Sequence, residues 1–328
     1  MSSKSVGKKQ IPLPRLQRLP RLQRLSRLGL GTVQFGFDYG VNNTRGQVPY
    51  DEVCNILTSA SDQGVNFLDT SRLYGASESV LGKAIAEIGR DFTICTKLDL
   101  PSNFSELSEK EIGEAVNASF MGSCESLQLE TLPMYLLHNF DYKTTHGGYV
   151  WSLLKEMKAK GLIGKLGVSI GRGPDEALQC LQDPDVEVMQ IPFNVFDQRW
   201  KRAGVLLQCR EKGIELINRS TYLQGLLLMS VEKAAGRVPV SRERIKKLLE
   251  IAETAKIPVK ELVFKYVLEN PYIKTTIVGV DSIEQLEENI RLQNLEPLKP
   301  EIMQSIETAF QDSPDELVNP ALWNISYP

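Results

Sequence analysis

The sequence is poor in the residues that bind metals, form disulfides or span membranes. It has two histidines, His138 and His146, so any acid–base histidine is one of these two. Its five cysteines are scattered and never form a CxxC pair, a pattern that argues against a structural zinc cluster or a disulfide framework. No apolar run approaches the ~20 residues that a membrane-spanning helix needs. The sequence therefore predicts a reduced cytoplasmic protein with no metal site and no membrane partner.

The composition and the charge limit which kinds of molecule we expect the protein to bind. Hydrophobic residues make up 42% of the 328 residues and charged residues 24%, which is ordinary for a globular protein. Residues 1–37 hold eight basic side chains and no acidic one, whereas the rest of the chain holds 30 basic and 41 acidic side chains. An acidic body binds nucleic acid poorly, because phosphate neutralisation requires a basic face. We therefore expect a small-molecule substrate and no nucleic-acid partner.

Residues 1–27 form a basic N-terminal extension with its own repeat. The hexapeptide PRLQRL occurs at residues 14–19 and again at 20–25, and leucines recur at every third position. A period of three does not make one stripe on an α-helix, and Pro14 and Pro20 interrupt any helix further. The pattern predicts a flexible lead-in. A transit-like presequence or a partner-binding arm remain alternatives.

Beyond residue 27, short β-rich apolar runs alternate with longer amphipathic stretches. This alternation predicts parallel crossovers and one α/β domain, a closed (β/α)₈ TIM barrel over residues 28–310, with residues 311–328 near its active site. A doubly wound open sheet is the competitor, but the sequence after the first strand does not complete a GxGxxG fingerprint. The predicted strands are Leu28–Val33, Val65–Asp69, Phe92–Lys97, Met134–His138, Lys165–Ser169, Glu187–Ile191, Glu215–Arg219 and Thr275–Gly279.

Three successive predicted strands end in an ionisable residue: Asp69, Lys97 and His138. In such a barrel the C-terminal strand ends form the active site, and the loop after Asp69 returns Tyr74 to the same rim. A free tyrosine has a pKa near ~10, and a nearby Lys97 ammonium would favour its phenolate and make it a better acid. These groups are suited to protonating a carbonyl oxygen while hydride reaches its carbon. Lys97 alone would also be compatible with a Schiff-base lysine.

The segment FLDTSRLYGASE at residues 67–78 resembles the aldo-keto reductase signature, whose usual form is FDTAxxYGxSE. The resemblance continues in order over about residues 28–310. It includes TK at 96–97, LLHN at 136–139, GKLGVS at 164–169, QIPFN at 190–194 and VGVDSIEQLEEN at 278–289. Within that family the chain is similar to a branch with GTVQFG…YG on the first strand and RSxxLQGLLL on the seventh.

This resemblance implies an NAD(P)(H)-dependent oxidoreductase that interconverts a carbonyl and an alcohol. Tyr74 would be the general acid/base, Asp69 and Lys97 would tune it, and His138 would position the carbonyl. The substrate would be a small carbonyl compound or polyol, and a sugar-like molecule is one candidate. The alternative is a nucleotide-binding regulatory subunit on the same barrel with little catalytic activity.

The resemblance also implies the cofactor site, with two departures from the family pattern. Ile170 stands where the family has an asparagine beside Ser169, and Arg219 replaces the aromatic that stacks on the nicotinamide. Relatives that prefer NADPH place a basic residue just after strand eight, where this chain has Asp281. NAD versus NADP is therefore undecided, and we expect NAD(H) to be usable. The implied cofactor-binding residues are Gly31, Thr32, Ser169, Gln190, Arg219, Gln224, Gly225, Leu226, Gly279, Asp281, Ser282, Gln285, Glu288 and Asn289.

Overall fold

The computed structural model describes residues 24–39 and 45–323. Eight parallel strands form a closed barrel in which each strand pairs with the next and β8 pairs with β1. The predicted (β/α)₈ barrel is thus confirmed. The strands are β1 Leu28–Gly31, β2 Phe67–Asp69, β3 Thr93–Leu98, β4 Leu132–Leu137, β5 Ile163–Ser169, β6 Val188–Pro192, β7 Glu215–Arg219 and β8 Ile273–Gly279.

All eight strands overlap their predicted ranges, and β1 and β2 are shorter than predicted. Strand β1 ends at Gly31 instead of Val33, because Val33 begins a short helical turn, Val33–Gly36. Strand β2 begins at Phe67 instead of Val65. The strands are buried on both faces, as expected for a parallel sheet covered by helices.

The barrel interior is filled by side chains. Phe67 is fully buried there, and a side chain on Gly29 would lie 2.7 Å from its ring, so the glycine in β1 makes room for the phenyl group. Cys95 also lies in this interior, on the face of β3 that carries Lys97, as its position two residues before the lysine predicts. The interior cluster comprises Leu25, Phe67, Cys95, Met134, Leu136, Val188, Ile217 and Ile277.

Helices surround the barrel and lie between successive strands, where the sequence predicts amphipathic stretches. None of the helices within the described ranges is long and apolar enough to cross a membrane. The helices of seven or more residues are Tyr50–Asp62, Ser77–Ile88, Glu109–Leu127, Tyr149–Ala159, Pro174–Cys180, Val205–Lys212, Val231–Arg237, Arg242–Ala255, Val259–Leu268, Ile283–Gln293 and Pro300–Phe310.

Residues 24–27, which the sequence assigns to the extension, pack onto the barrel. The Leu25 side chain enters the barrel interior, and the Arg27 guanidinium donates hydrogen bonds to the carbonyl groups of Leu268 and Asn270. The rest of the predicted extension, residues 1–23, lies outside the described residues.

The segment after the last long helix is held against the barrel by ion pairs. Arg199 donates to Asp197, which is fully buried, at 2.8 Å and to Asp315 at 2.8 Å. This bridge fixes the short helix Asp315–Val318 above the C-terminal ends of the strands.

Because the Leu25 side chain packs in the barrel interior, we expect the stability of the barrel to depend on it. We expect Leu25→Ala to lower the free energy of unfolding by about 2–4 kcal/mol, because it leaves a cavity in the barrel interior. Leu249→Ala, on an exposed helix face, is the matched control and should change it by less than about 0.5 kcal/mol. Urea unfolding of the two variants measures the difference, and equal midpoints would contradict the packing of Leu25.

Candidate active site

The structure brings together the four residues proposed as catalytic. Lys97 Nζ donates to Asp69 Oδ1 at 2.8 Å and to the Thr70 carbonyl oxygen at 2.9 Å. The same Nζ lies 5.1 Å from the centroid of the Tyr74 ring. The Tyr74 and His138 rings meet edge to face, with centroids 6.2 Å apart. Four side chains from the ends of β2, β3 and β4 thus share one rim.

Two glycines determine the path of the loop that carries Tyr74. A side chain at Gly36 would place its Cβ 1.7 Å from the Tyr74 carbonyl oxygen, so only glycine permits this close approach. Gly75 has a φ of +56°, in the left-handed region. Behind the loop, Ser77 Oγ lies 2.8 Å from Thr32 Oγ1 and 3.0 Å from Thr70 Oγ1. This buried hydroxyl cluster ties the tyrosine loop to the end of β1.

The ion pair between Lys97 and Asp69 is almost completely buried, with 1% and 5% of the side chains exposed. Burial is the largest single effect and lowers the pKa of the Lys97 ammonium, but the Asp69 carboxylate acts together with Tyr74 and Cys95 to raise the pKa of Lys97 above its usual value. Lys97 is therefore firmly protonated.

The pKa of Tyr74 differs from the sequence-based expectation. Burial raises the pKa of Tyr74, while the charges of Lys97 and Arg219 lower it and that of Asp69 raises it. Lys97 acts in the expected direction, but desolvation of the phenolate is the larger effect in this site. Tyr74 consequently holds its proton at neutral pH.

His138 is a neutral imidazole. Burial, followed by the positive charges of Lys97 and Arg219, lowers the pKa of His138 from 6.5 to about 3. Its Nδ1 lies 3.1 Å from the hydroxyl oxygen of Ser71. A neutral histidine can donate a hydrogen bond from one ring nitrogen only.

On the proposed nicotinamide side, Ser169 and Gln190 lie opposite each other in the β5–β6 register. Gln190 Nε2 donates to Asp69 Oδ1 at 2.7 Å, so a proposed cofactor-binding residue contacts a proposed catalytic residue. Gln190 Oε1 is buried and has no hydrogen-bond partner within the described part of the chain. A buried, unsatisfied amide oxygen fits a residue that accepts a hydrogen bond from the carboxamide of a bound nicotinamide.

Arg219 lies at the end of β7 and lines a cavity that His138 and Ser169 also line. Its Nη2 donates to the Ile170 carbonyl oxygen at 3.0 Å and its Nη1 contacts Ser220 Oγ at 3.4 Å. The two departures from the family pattern therefore contact each other, and the Ile170 backbone orients the guanidinium.

The loop after β7 contains the proposed residues Gln224, Gly225 and Leu226. Gln224 and Gly225 have φ values of +56° and +91°, so the chain turns sharply here. Gln224 Nε2 donates to the Tyr39 hydroxyl oxygen at 3.1 Å, which joins this loop to the segment after β1. Gln224 also lines the cavity that borders His138, whereas Leu226 is fully buried.

Asp281 and Ser282 follow β8 and begin the helix Ile283–Gln293. Ser282 Oγ accepts a hydrogen bond from the Gln285 backbone N–H, and Gln285 Oε1 accepts one from the Asp281 backbone N–H. Burial raises the pKa of Asp281, and its Oδ1 has no hydrogen-bond partner among the residues described. Gly279 packs against Gln34, so that a Cβ there would lie 2.5 Å from the Gln34 side chain.

Sequence reasoning missed Arg45 in this region. Its Nη1 donates to the Asp281 carbonyl oxygen at 3.0 Å, and its Nη2 pairs with Glu52 at 3.3 Å. No local motif indicates this proximity, because 236 residues separate Arg45 from Asp281.

At the proposed adenine end, Glu288 and Asn289 already have partners. Glu288 forms an ion pair with Lys260, and Asn289 Oδ1 accepts a hydrogen bond from the Tyr222 hydroxyl at 3.1 Å. Gly31, at the end of β1, lies between Asp69 and Gly279 in the sheet register, and the Thr32 hydroxyl donates to the Asp69 carbonyl oxygen. Gly31 and Thr32 therefore lie beside Asp69, whereas Glu288 and Asn289 lie on the helix Ile283–Gln293.

A cavity of about 430 Å³ opens beside His138 and Arg219. Its wall is formed by loops after several strands and by residues 318–321 of the C-terminal segment. Among the aromatic residues near this cavity, Tyr39 lines it and Phe37 packs edge to face on Tyr39, while Trp323 Nε1 donates to the Glu316 carbonyl oxygen.

Comparisons with known proteins agree with this architecture. An uncharacterized oxidoreductase, YqkF from Bacillus subtilis, is 27% identical over 277 residues, covering 79% of this chain and 87% of YqkF. A putative voltage-gated potassium channel subunit beta from Schizosaccharomyces pombe is 26% identical, covering 94% of this chain and 96% of that protein. The holo form of aldo-keto reductase AKR11C1 from Bacillus halodurans has the same fold, with a TM-score of 0.69 at 23% identity over 87% of this chain and 92% of that one.

A family model covers almost the whole barrel. The match runs over residues 27–310 and is described as the aldo/keto reductase family, the family that the motifs from residue 67 to residue 289 resemble. This chain belongs to the aldo/keto reductase family of oxidoreductases.

Proposed function

We propose that the protein is an NAD(P)(H)-dependent reductase or dehydrogenase in which Tyr74 is the general acid/base. The observation that carries this proposal is the convergence of Asp69, Tyr74, Lys97 and His138 on one rim beside a cavity. Packing alone does not require a buried ion pair, a tyrosine and a neutral histidine at the same point.

The bound dinucleotide would supply hydride to the carbonyl carbon. Tyr74 holds the proton that the carbonyl oxygen receives, since burial raises the pKa of Tyr74. The Lys97 ammonium stabilises the phenolate left behind, and Asp69 keeps that ammonium charged. His138, being neutral, orients the carbonyl oxygen with a hydrogen bond.

Several residues would hold the dinucleotide. Gln190 and Ser169 are suited to the carboxamide, and the Arg219 guanidinium is planar and can stack on the ring in place of an aromatic side chain. Gly225 and Leu226 would cover the pyrophosphate, while Gly279 to Asn289 would contact the adenosine part. Arg219 is already oriented by the Ile170 carbonyl group, which favours a fixed stacking geometry.

Two residues of opposite charge, Asp281 and Arg45, would influence whether NADH or NADPH binds more tightly. Asp281 repels a 2′-phosphate and can accept a hydrogen bond from a ribose 2′-hydroxyl. Arg45, beside Asp281, has the charge that attracts a phosphate. We infer that NAD(H) is usable and that NADPH has no strong advantage.

The cavity wall favours a polar, sugar-like substrate. Amide, hydroxyl and charged side chains lie beside aromatic ones, which suits a molecule with several hydroxyl groups. The polar residues in the wall include Asn139, Arg172, Glu176, Ser220, Gln224 and Asn319.

A regulatory subunit that binds the dinucleotide but turns over little substrate is the second candidate. The relative from Schizosaccharomyces pombe, named as a potassium channel subunit beta, favours it. A panel of carbonyl and sugar substrates with NADH and NADPH separates the two. Steady turnover supports the enzyme, and tight dinucleotide binding with no turnover supports the subunit.

Tyr74→Phe should abolish turnover and leave dinucleotide affinity nearly unchanged, because the proton donor lies apart from the proposed dinucleotide contacts. General acid catalysis contributes ~10²–10⁴-fold, so the rate should fall at least that far. Tyr272→Phe, at the opposite end of the barrel, is the control. Single-turnover rates measure the effect, and a variant that keeps more than about a tenth of the wild-type rate would show that Tyr74 is not the acid.

Arg219→Tyr should preserve dinucleotide binding better than Arg219→Ala, because tyrosine restores a stacking surface. Fluorescence titration with NADH and with NADPH gives both affinities without requiring turnover. If the tyrosine and alanine variants bind equally, Arg219 does not stack on the ring.

Asp281→Arg should shift the preference toward NADPH by about a factor of ten, on the order of 1.4 kcal/mol, because it replaces a repulsive charge with an attractive one. Glu284→Arg makes the same change of charge on an exposed neighbour and should shift the ratio less. The ratio of the two dissociation constants is the measurement. A wild-type protein that binds NADPH about a hundredfold tighter than NADH would contradict the proposed balance of charges.

A further inference from the structure

Ser71 departs from the family motif at a position that contacts a proposed catalytic side chain. The usual motif has alanine after DT, whereas this chain reads Asp69-Thr70-Ser71. Ser71 is fully buried, and its Oγ lies 3.1 Å from His138 Nδ1. The Leu73 backbone N–H also donates to Ser71 Oγ, at 3.2 Å. The alanine of the usual motif could make neither contact.

These two contacts define which atom carries each proton. A backbone N–H can only donate, so Leu73 occupies one acceptor site of the Ser71 oxygen. Within residues 24–39 and 45–323, His138 Nδ1 is the one acceptor in hydrogen-bond contact with the Ser71 hydroxyl. If Nδ1 carried the imidazole proton, the buried hydroxyl hydrogen would have no partner, which is unfavourable. The Ser71 hydroxyl therefore donates to Nδ1.

The surroundings of His138 determine how many protons its imidazole ring carries. Burial disfavours the imidazolium most, and the charges of Lys97 and Arg219 act in the same direction, so the ring carries a single proton. When Nδ1 accepts from Ser71, that proton must lie on Nε2. Nδ1 is occupied by Ser71, so Nε2 is the nitrogen that remains to donate to a ligand.

We propose that Ser71 is a positioning residue that fixes the Nε2–H tautomer of His138 and thereby aims a hydrogen-bond donor at the substrate carbonyl oxygen. The inference rests on the proposed function for the identity of that acceptor. The tautomer itself follows from contacts within the protein.

The two-histidine composition makes the tautomer directly measurable. In the ¹⁵N spectrum of imidazole-labelled protein at neutral pH, His138 Nδ1 should have a pyridine-like shift and Nε2 a pyrrole-like shift. The variant His146→Asn assigns the signals, because it leaves His138 as the single histidine. A pyrrole-like Nδ1 in the wild-type protein would overturn the proposal.

Substitutions at Ser71 test the role of its hydroxyl. Ser71→Ala restores the residue of the usual motif, so the fold should tolerate it, while Ser71→Thr keeps the hydroxyl. In Ser71→Ala we expect a mixture of tautomers and a fall in kcat/KM of about five- to tenfold, the value of one neutral hydrogen bond, with unchanged dinucleotide affinity. In Ser71→Thr the tautomer and kcat/KM should return close to wild type.

Each result has a distinct meaning. A Ser71→Ala variant that keeps both the wild-type spectrum and the wild-type rate overturns the proposal. A lower rate with an unchanged spectrum also overturns it, because the serine would then act on packing alone. If no carbonyl substrate is turned over, the proposed function fails, yet the spectra still decide whether Ser71 fixes the tautomer.

Discussion

The buried ion pair between Lys97 and Asp69 is the interaction on which the rest of the site depends. Removing two charges from water is costly, and a buried pair is stable only when further hydrogen bonds satisfy both partners. Thr70 supplies one such bond to Lys97, and Gln190 supplies one to Asp69. Because Gln190 is one of the proposed cofactor-binding residues, Asp69 Oδ1 would link the proposed proton-transfer group to the cofactor.

The ion pair also sets the protonation of its neighbours. Lys97 stays charged, and its charge favours the Tyr74 phenolate while disfavouring the His138 imidazolium. Burial opposes ionisation of both groups, so Tyr74 and His138 are neutral in the resting site. Both can then donate hydrogen bonds, and in the proposed function they would face the negative charge that develops on the carbonyl oxygen.

Departures from the family pattern are concentrated around this centre. Arg219 and Ile170 contact each other, and Ser71 contacts His138. Arg219 adds a charge and Ser71 adds a hydroxyl beside the proposed catalytic residues, while the barrel remains the same. The chain thus keeps the barrel of the family and differs in the donors and cations beside the proposed catalytic residues.

The strand pattern, the barrel and the rim position of Asp69, Tyr74, Lys97 and His138 could be predicted from the sequence, because parallel strands alternate with helices and their ends share one edge. The sequence did not indicate that Arg45 approaches Asp281 or that Lys260 pairs with Glu288, since these contacts join segments far apart in the chain.

The pKa of Tyr74 is another property that the sequence predicted only in part and that the tertiary structure decided. The sequence identified Lys97 as the charge that acts on the tyrosine. Only the folded structure determined that burial outweighs that charge, because desolvation depends on every atom packed around the hydroxyl and a linear motif specifies few of them.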